Sequence, residues 1–290
     1  MVRSSSQASP LVTTEWLATH LGDPGVRVFD CTLVTRPAPD GSDLISESGA
    51  PAYAAGHIPG AAHLDIQALS DPGQPFRYAL PSPDRFAAAA GAAGIGEGVR
   101  AVLYCRNHQL WAARIWMTLR HYGFEDALVL DGGWAKWTAE GRPAETTPHA
   151  HPPARFEPRP RPGLFVGRDE VAAAIGDPGA VLVNALSPEQ HAGRGGVHYG
   201  RAGRIPGSIN LPARALTDPQ THAYLPPERL RALADAAGIA DDTRVIAYCG
   251  GGVAASSDAL ALRLIGREAA VYARSLQEWA RDPSLPLVRD

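Results

Sequence analysis

Two hydrophobic patterns alternate along the chain. Short apolar runs rich in β-branched residues read as buried strands: VRVFD at Val26–Asp30, AVLYC ending at Cys105 and VIAYC ending at Cys249. Between such runs lie alanine- and leucine-rich stretches of helical character, such as PPERLRALADAAGI and AASSDALALRLIG. Strands alternating with helices predict an α/β fold, with a mainly parallel sheet covered by helices on both faces. In such sheets ligands gather beyond the carboxyl ends of the strands, which is where both cysteines fall.

The pattern occurs twice. GHIPGAAHLD, from Gly56 to Asp65, is echoed by GRIPGSINLP, from Gly203 to Pro212. GIGEGVRAVLYC is echoed by GIADDTRVIAYC, with Gly94 and Gly238 equally far ahead of Cys105 and Cys249. LVLDGGWAKW ends at Trp137 and AVYARSLQEW at Trp279. Recurrence in one order and at near-equal spacing implies duplication. The first copy is two residues longer between cysteine and tryptophan, an excess expected in the loop after Cys105. This divides the chain into a first domain over residues 1–144, a linker over 145–163 and a second domain over 164–290. The linker, ETTPHAHPPARFEPRPRPG, has the proline density of an extended spacer, with His149 and His151 expected in solvent.

Composition narrows the chemistry. At 290 residues, 45% hydrophobic and 20% charged, each half can bury its own core. A net charge of −3 gives no broad field for nucleic acid or an anionic membrane. Lys136 is the sole lysine, which leaves little room for lysine-based covalent chemistry. Three cysteines, Cys31, Cys105 and Cys249, make no disulfide framework and suit a reducing compartment. With neither a signal-like leader nor a long apolar run, the expected location is the cytoplasm.

The sharpest chemical feature is Cys249-Gly250-Gly251-Gly252-Val253-Ala254-Ala255, between a strand and a helix. Consecutive glycines let the backbone fold around one point. Their N–H groups and the following helix N-terminus favour an anion there. Cys249 supplies one as a thiolate, and a persulfide would be held by the same donors. A cysteine phosphatase needs an arginine six residues after its nucleophile, but Ala255 and Trp111 stand at those positions. A phosphate-binding loop needs Gly-Lys-Ser/Thr, and no such run occurs. No Cys-x-x-Cys or His-x-x-x-His spacing suggests a metal.

These motifs together resemble the rhodanese family in its tandem-domain form, which includes thiosulfate and 3-mercaptopyruvate sulfurtransferases. The anchors are GHIPGA at Gly56, LDGGWAKW at Leu130, GRIPGSINLP at Gly203 and CGGGVAAS at Cys249. The resemblance implies two rhodanese-like domains, the first non-catalytic and the second catalytic, with the site in the cleft between them. It implies transfer of a sulfane sulfur through a persulfide on Cys249, from a small donor to cyanide or a thiol, without metal or organic cofactor. Loop residues Gly250 to Ala255 would hold the substrate and the persulfide.

The chain also departs from the family pattern. Asn184, Leu186 and Gln190 stand where the second domain of relatives carries Asp-x-Arg-x-x-x-Arg. Arg201 and Arg204 are the expected replacements for the lost donor-binding charge, with Arg194 and Arg274 as weaker candidates. The loop lacks a basic residue, as in relatives that use 3-mercaptopyruvate, but also lacks their serine at Gly251. Cys105, followed by Arg106-Asn107-His108-Gln109-Leu110-Trp111, is expected to be a structural thiol, with His108 and Trp111 shaping the cleft. Cys31 is expected to be structural too. A monomer is expected. The alternatives are a persulfide carrier fed by a partner protein and a catalytically silent interaction module.

Overall fold

The computed structural model describes residues 9–290. The first half contains strands β1 (Leu11–Val12), β2 (Val26–Asp30), β3 (Leu33–Pro37), β4 (Leu44–Ser48), β5 (Ala62–His63), β6 (Arg100–Tyr104) and β7 (Ala127–Leu130). The second contains β8 (Phe165–Val166), β9 (Ala180–Asn184), β10 (Ile209–Asn210), β11 (Arg244–Tyr248) and β12 (Ala269–Tyr272). The first-half helices are α1 (Thr14–His20), α2 (Ala50–Ala55), α3 (Pro83–Ala92), α4 (Leu110–His121) and α5 (Gly133–Ala139). In the second half they are α6 (Arg168–Ala173), α7 (Pro188–His191), α8 (Pro227–Ala236), α9 (Val253–Leu264) and α10 (Ser275–Trp279).

Each half builds a five-stranded sheet, in the orders β1-β7-β6-β2-β5 and β10-β9-β11-β12-β8, and every neighbour within these two sheets is parallel. The central strands are apolar because helices cover both faces: Val102, Leu103, Ile246 and Ala247 are fully buried. Among the described residues no helix is long and apolar enough to cross a membrane.

The repeated motifs have repeated structural uses. The tyrosine before each cysteine accepts a hydrogen bond from the isoleucine of the Gly-x-Ile-Pro-Gly motif: Ile58 N–H to Tyr104 Oη at 3.2 Å, and Ile205 N–H to Tyr248 Oη at 3.1 Å. Each buried tryptophan donates its indole N–H to the segment leaving its domain: Trp137 to the Pro143 carbonyl and Trp279 to that of Pro286, both at 2.8 Å. A buried indole N–H needs such a partner.

The two extra residues of the first copy are divided. Cys105 is five positions ahead of α4 where Cys249 is four ahead of α9, and the connection from α4 to β7 takes up the other residue. The linker is not a free spacer. Its backbone bonds to the first domain through Ala154 N to Gly91 O at 2.9 Å, Glu97 N to Arg155 O at 2.8 Å and Arg159 N to Tyr122 O at 2.8 Å. His149 is exposed, but His151 is partly buried, with Nε2 at 3.0 Å from the Val28 carbonyl and its ring edge-on to Phe29.

The halves differ mainly just beyond β2 and its counterpart β9. The first copy inserts the β3–β4 antiparallel hairpin after β2. The second copy has a long loop between α7 and β10. These copy-specific segments meet, with His198 N–H 3.4 Å from the Gly41 carbonyl, and Arg281, just past α10, pairs with Asp43 of the hairpin turn at 2.5 Å. The α4 and α9 helices pack against each other across the domain boundary.

Candidate active site

Cys249 stands one residue beyond β11, at the carboxyl edge of the second sheet and 2% exposed. Its loop is held from outside by the start of α10. Leu276 N–H bonds the Cys249 carbonyl at 3.0 Å and Gln277 N–H bonds that of Gly250 at 2.8 Å. Cys249 N–H itself donates to Ser275 Oγ at 3.1 Å. With those carbonyls occupied, the Gly252 N–H turns inward and donates to Cys249 Sγ at 3.1 Å. Gly252, the residue that caps α9, has φ +77°, and a Cβ there would lie 2.6 Å from the Ala273 carbonyl oxygen. Gly250 is required for a different reason: a Cβ would lie 2.0 Å from Cζ of Tyr199.

Cys249 opens into a cavity of about 610 Å³ between the domains. Gly250, Gly251, Val253 and Ala254 form its floor. Its walls include Thr35 and Leu44 of the hairpin, Tyr78 and Trp111 of the first domain, and Leu186, Gln190 and Tyr199 of the second. Gly252 and Ala255 lie behind the floor and are not in the lining. Trp111 therefore faces the cleft, edge-on to Tyr78 at 5.2 Å. His108 does not; its ring packs 4.4 Å from that of His222, and burial beside His222 and Arg214 holds its pKa below the usual value.

The cleft takes its cations from Arg77 and Arg214. Arg77 is partly neutralised by Asp43 at 2.6 Å and is fixed by reciprocal bonds with the Gln277 amide, each 3.0 Å. Arg214 is exposed and has no carboxylate partner among the described residues. Beneath the loop lies a third guanidinium, that of Arg114 on α4 of the first domain, fully buried. It donates to the Tyr78 carbonyl at 2.8 Å and to that of Gly252 at 3.4 Å.

Arg201 and Arg204 are not in the cleft lining. Arg201 donates to the carbonyls of Ala280 at 3.0 Å, Asp282 at 2.6 Å and Leu285 at 2.9 Å. Arg204 occupies the repeat position of His57, and both do the same job. His57 pairs its backbone with Glu145 and Arg204 with Val288, so each pins the segment leaving its domain. Arg204 also binds Asp290 at 2.7 Å. Arg194 is exposed, and Arg274 is paired with Glu278 at 3.0 Å. Of the residues in the altered pattern, Asn184 is buried against Tyr248 Oη at 3.1 Å, and Gln190 holds the Val197 carbonyl at 2.9 Å.

Cys105 has the opposite surroundings. It is 1% exposed, and its Sγ faces the Asn107 carbonyl at 3.5 Å, an acceptor that favours the thiol. Burial pushes its pKa up to about 11, against the opposing pull of loop N–H groups. Where the second copy has glycines, His108 and Gln109 take φ +45° and +56°, and Arg106 turns away to lie 4.4 Å over the Trp134 ring. Cys31 is fully buried, and burial raises its pKa well above that of a free thiol.

Two open α/β units, with a cysteine at the mouth of a glycine loop in one of them, are shared with a known class of proteins. The model of the rhodanese-like domain matches residues 13–140 and again 167–282. Thiosulfate/3-mercaptopyruvate sulfurtransferase 2 of Arabidopsis thaliana is 31% identical, over 98% of this chain and 87% of that protein. The sulfur carrier protein TtuD of Thermus thermophilus is 31% identical, over 82% of this chain and 81% of its own. Among solved structures, SseA of Escherichia coli, a 3-mercaptopyruvate sulfotransferase, superposes with a TM-score of 0.81 at 28% identity, over 92% of this chain and 98% of its own. The chain belongs to the rhodanese family. Within it, the chain is a sulfurtransferase with two rhodanese-like domains in tandem.

Proposed function

We propose that Cys249 carries the transferred sulfur as a persulfide, and that the donor is 3-mercaptopyruvate or thiosulfate. The observation that carries this reading is the Gly252 N–H aimed at Cys249 Sγ, at the floor of a cleft between domains. In the first step the Cys249 thiolate attacks the donor's outer sulfur. With 3-mercaptopyruvate the C–S bond breaks, its electrons stay on carbon, and the enolate takes a proton to become pyruvate. With thiosulfate the S–S bond breaks and sulfite leaves. In the second step an acceptor thiolate or cyanide attacks the outer persulfide sulfur, and Cys249 returns to the thiolate.

Both donors are anions, and Arg214 and Arg77 are the cleft groups suited to their carboxylate or sulfonate oxygens. A loop without basic residues favours 3-mercaptopyruvate. The likeness to a protein named as a sulfur carrier supports a second reading, in which Cys249 receives sulfur from a partner protein. The test is intact mass after incubating the reduced protein with each donor, beside Cys249→Ser and Cys105→Ser. Gain of one sulfur atom, lost only in Cys249→Ser, is expected. No gain from either donor would sink the small-donor reading and leave the protein-fed one.

A further inference from the structure

We propose that Arg114, contributed by the first domain, is the counter-charge of the Cys249 thiolate and persulfide, and so acts as a positioning residue for the reaction. The inference rests on Cys249 being the nucleophile. Arg114 is closed off from water on every side. Its NH2 nitrogen bonds the Tyr78 carbonyl at 2.8 Å, its NH1 reaches the Gly252 carbonyl at 3.4 Å, and its plane lies 4.6 Å over the Phe165 ring. Among the described residues its Nε has no hydrogen-bond partner, and no carboxylate lies within ion-pair distance of the guanidinium. Burial lowers its pKa only to about 10, so it stays charged at neutral pH.

A buried cation without an anion is strongly unfavourable, so the groups around it that can ionise decide its role. They are Cys249, Tyr78, Tyr122 and His121, and His121 can ionise only to a second cation, a form that burial and Arg114 disfavour. Burial pushes the Tyr122 phenol up to about 12 and raises that of Tyr78, so both phenols are neutral when the enzyme works. Cys249 is left as the group that can supply the negative charge. One residue links the two, since Gly252 takes Arg114 NH1 at its carbonyl at 3.4 Å and donates its N–H to Cys249 Sγ at 3.1 Å. The other titratable or charged groups around the loop are Tyr199, whose own pKa burial raises, Arg77, which shares Asp43 with Arg281, and the exposed Arg214 of the cleft wall; Arg114 is the one of these cations that is buried and has no carboxylate partner among the described residues. The first domain then contributes more than a wall. Its α4 helix carries the charge that α9 of the second domain lacks at its own start, where no basic side chain stands.

The test is the pH profile of iodoacetamide alkylation, with the adduct located at Cys249 by peptide mass, in wild type, Arg114→Met and Arg114→Lys. An opposite charge at close range favours the ionised form by about one pH unit or more. Arg114→Met is therefore expected to move the profile up by about one unit and slow alkylation at pH 7 about ten-fold, and Arg114→Lys to recover most of the loss. An Arg114→Met protein that melts like wild type and keeps the wild-type profile overturns the proposal. If Arg114→Met does not fold, the reciprocal measurement replaces it. The difference in melting temperature between wild type and Cys249→Ser should widen as pH rises through the thiol's titration, and a constant difference overturns the proposal. Alkylation needs no sulfur donor, so an Arg114-dependent profile in a protein that gains no sulfur would sink the persulfide reading and leave this one standing.

Discussion

Asp258 is the most exacting test of the energetics. It sits on α9, fully buried, and neither carboxyl oxygen has a hydrogen-bond partner. Burial alone raises its pKa well above the ordinary value of 3.8. The folded protein therefore keeps a proton that the unfolded chain releases above that value. A folded state that holds more protons loses stability as pH rises, here from about 4 upward to the raised folded pKa, with a slope of at most about 1.4 kcal/mol per pH unit for one proton. Above that pKa the loss is complete and the slope returns to zero. A buried polar group left unbonded costs a further ~1–3 kcal/mol. The matching position of α4 is Ile115, also fully buried, so a branched apolar side chain fits this kind of helix–helix contact. Asp258→Leu is expected to raise the melting temperature at pH 7 by about 2–4 °C for each kcal/mol recovered in a chain of this size. Asp258→Asn should remove the pH-dependent part alone. The assay is thermal unfolding followed by circular dichroism at pH 4, 5.5 and 7. If Asp258→Leu melts lower than wild type, or if its advantage does not grow from pH 4 to 7, the carboxyl is not an unpaired buried acid and the reasoning is wrong.

Gly250→Ala forces a methyl group into the Tyr199 ring, which can yield only by moving into the cleft it lines; a loss of about 1–3 kcal/mol in stability is expected, together with a fall in kcat, and unchanged melting and turnover would show that the loop yields freely. Arg214→Ala should raise KM for an anionic donor about two- to ten-fold with little change in kcat, and the effect should shrink in high salt; steady-state kinetics at two ionic strengths decides it. Cys105, with its pKa pushed up to about 11, should resist alkylation in the native protein at pH 8 and react only after unfolding, a contrast that peptide mass can read directly.

The division into two α/β units was legible because the signals are local. The strand runs, the Gly-x-Ile-Pro-Gly motifs and the tryptophans each mark one piece of a unit, and their recurrence marks the other. Cys249 was legible because strand, cysteine, glycines and helix are contiguous. The cations of the cleft were not, because they come from segments far apart in the chain. Arg77 precedes α3 and Arg214 comes after β10, and neither position carries a pattern that predicts where its side chain goes. Arg201 and Arg204 looked suitable because they border a recognised motif. That motif is tied by Ile205 to Tyr248, on the side of the strand that holds the domain's exit segment. Nearness in sequence there meant nearness to the C-terminal residues. Arg114 did leave a signal, a lone arginine inside the apolar helix LWAARIWMTL, where a charge has no place unless something nearby requires it.

The β3–β4 hairpin bears on any attempt to make the first domain active. Replacing Arg106 to Gln109 with glycines would copy the floor around Cys105 but not a vessel. The arm that leans over Cys249 grows out of the opposite domain, and among the described residues the second copy has no hairpin after β9 to lean back. A transplanted loop would face the second domain's His222 segment in place of a hairpin, so a working duplicate requires grafting in both halves at once. Ancestry made the two halves alike, but the loans between them, an arm and a buried arginine from one and a cysteine loop from the other, have made them complementary walls of a single cleft.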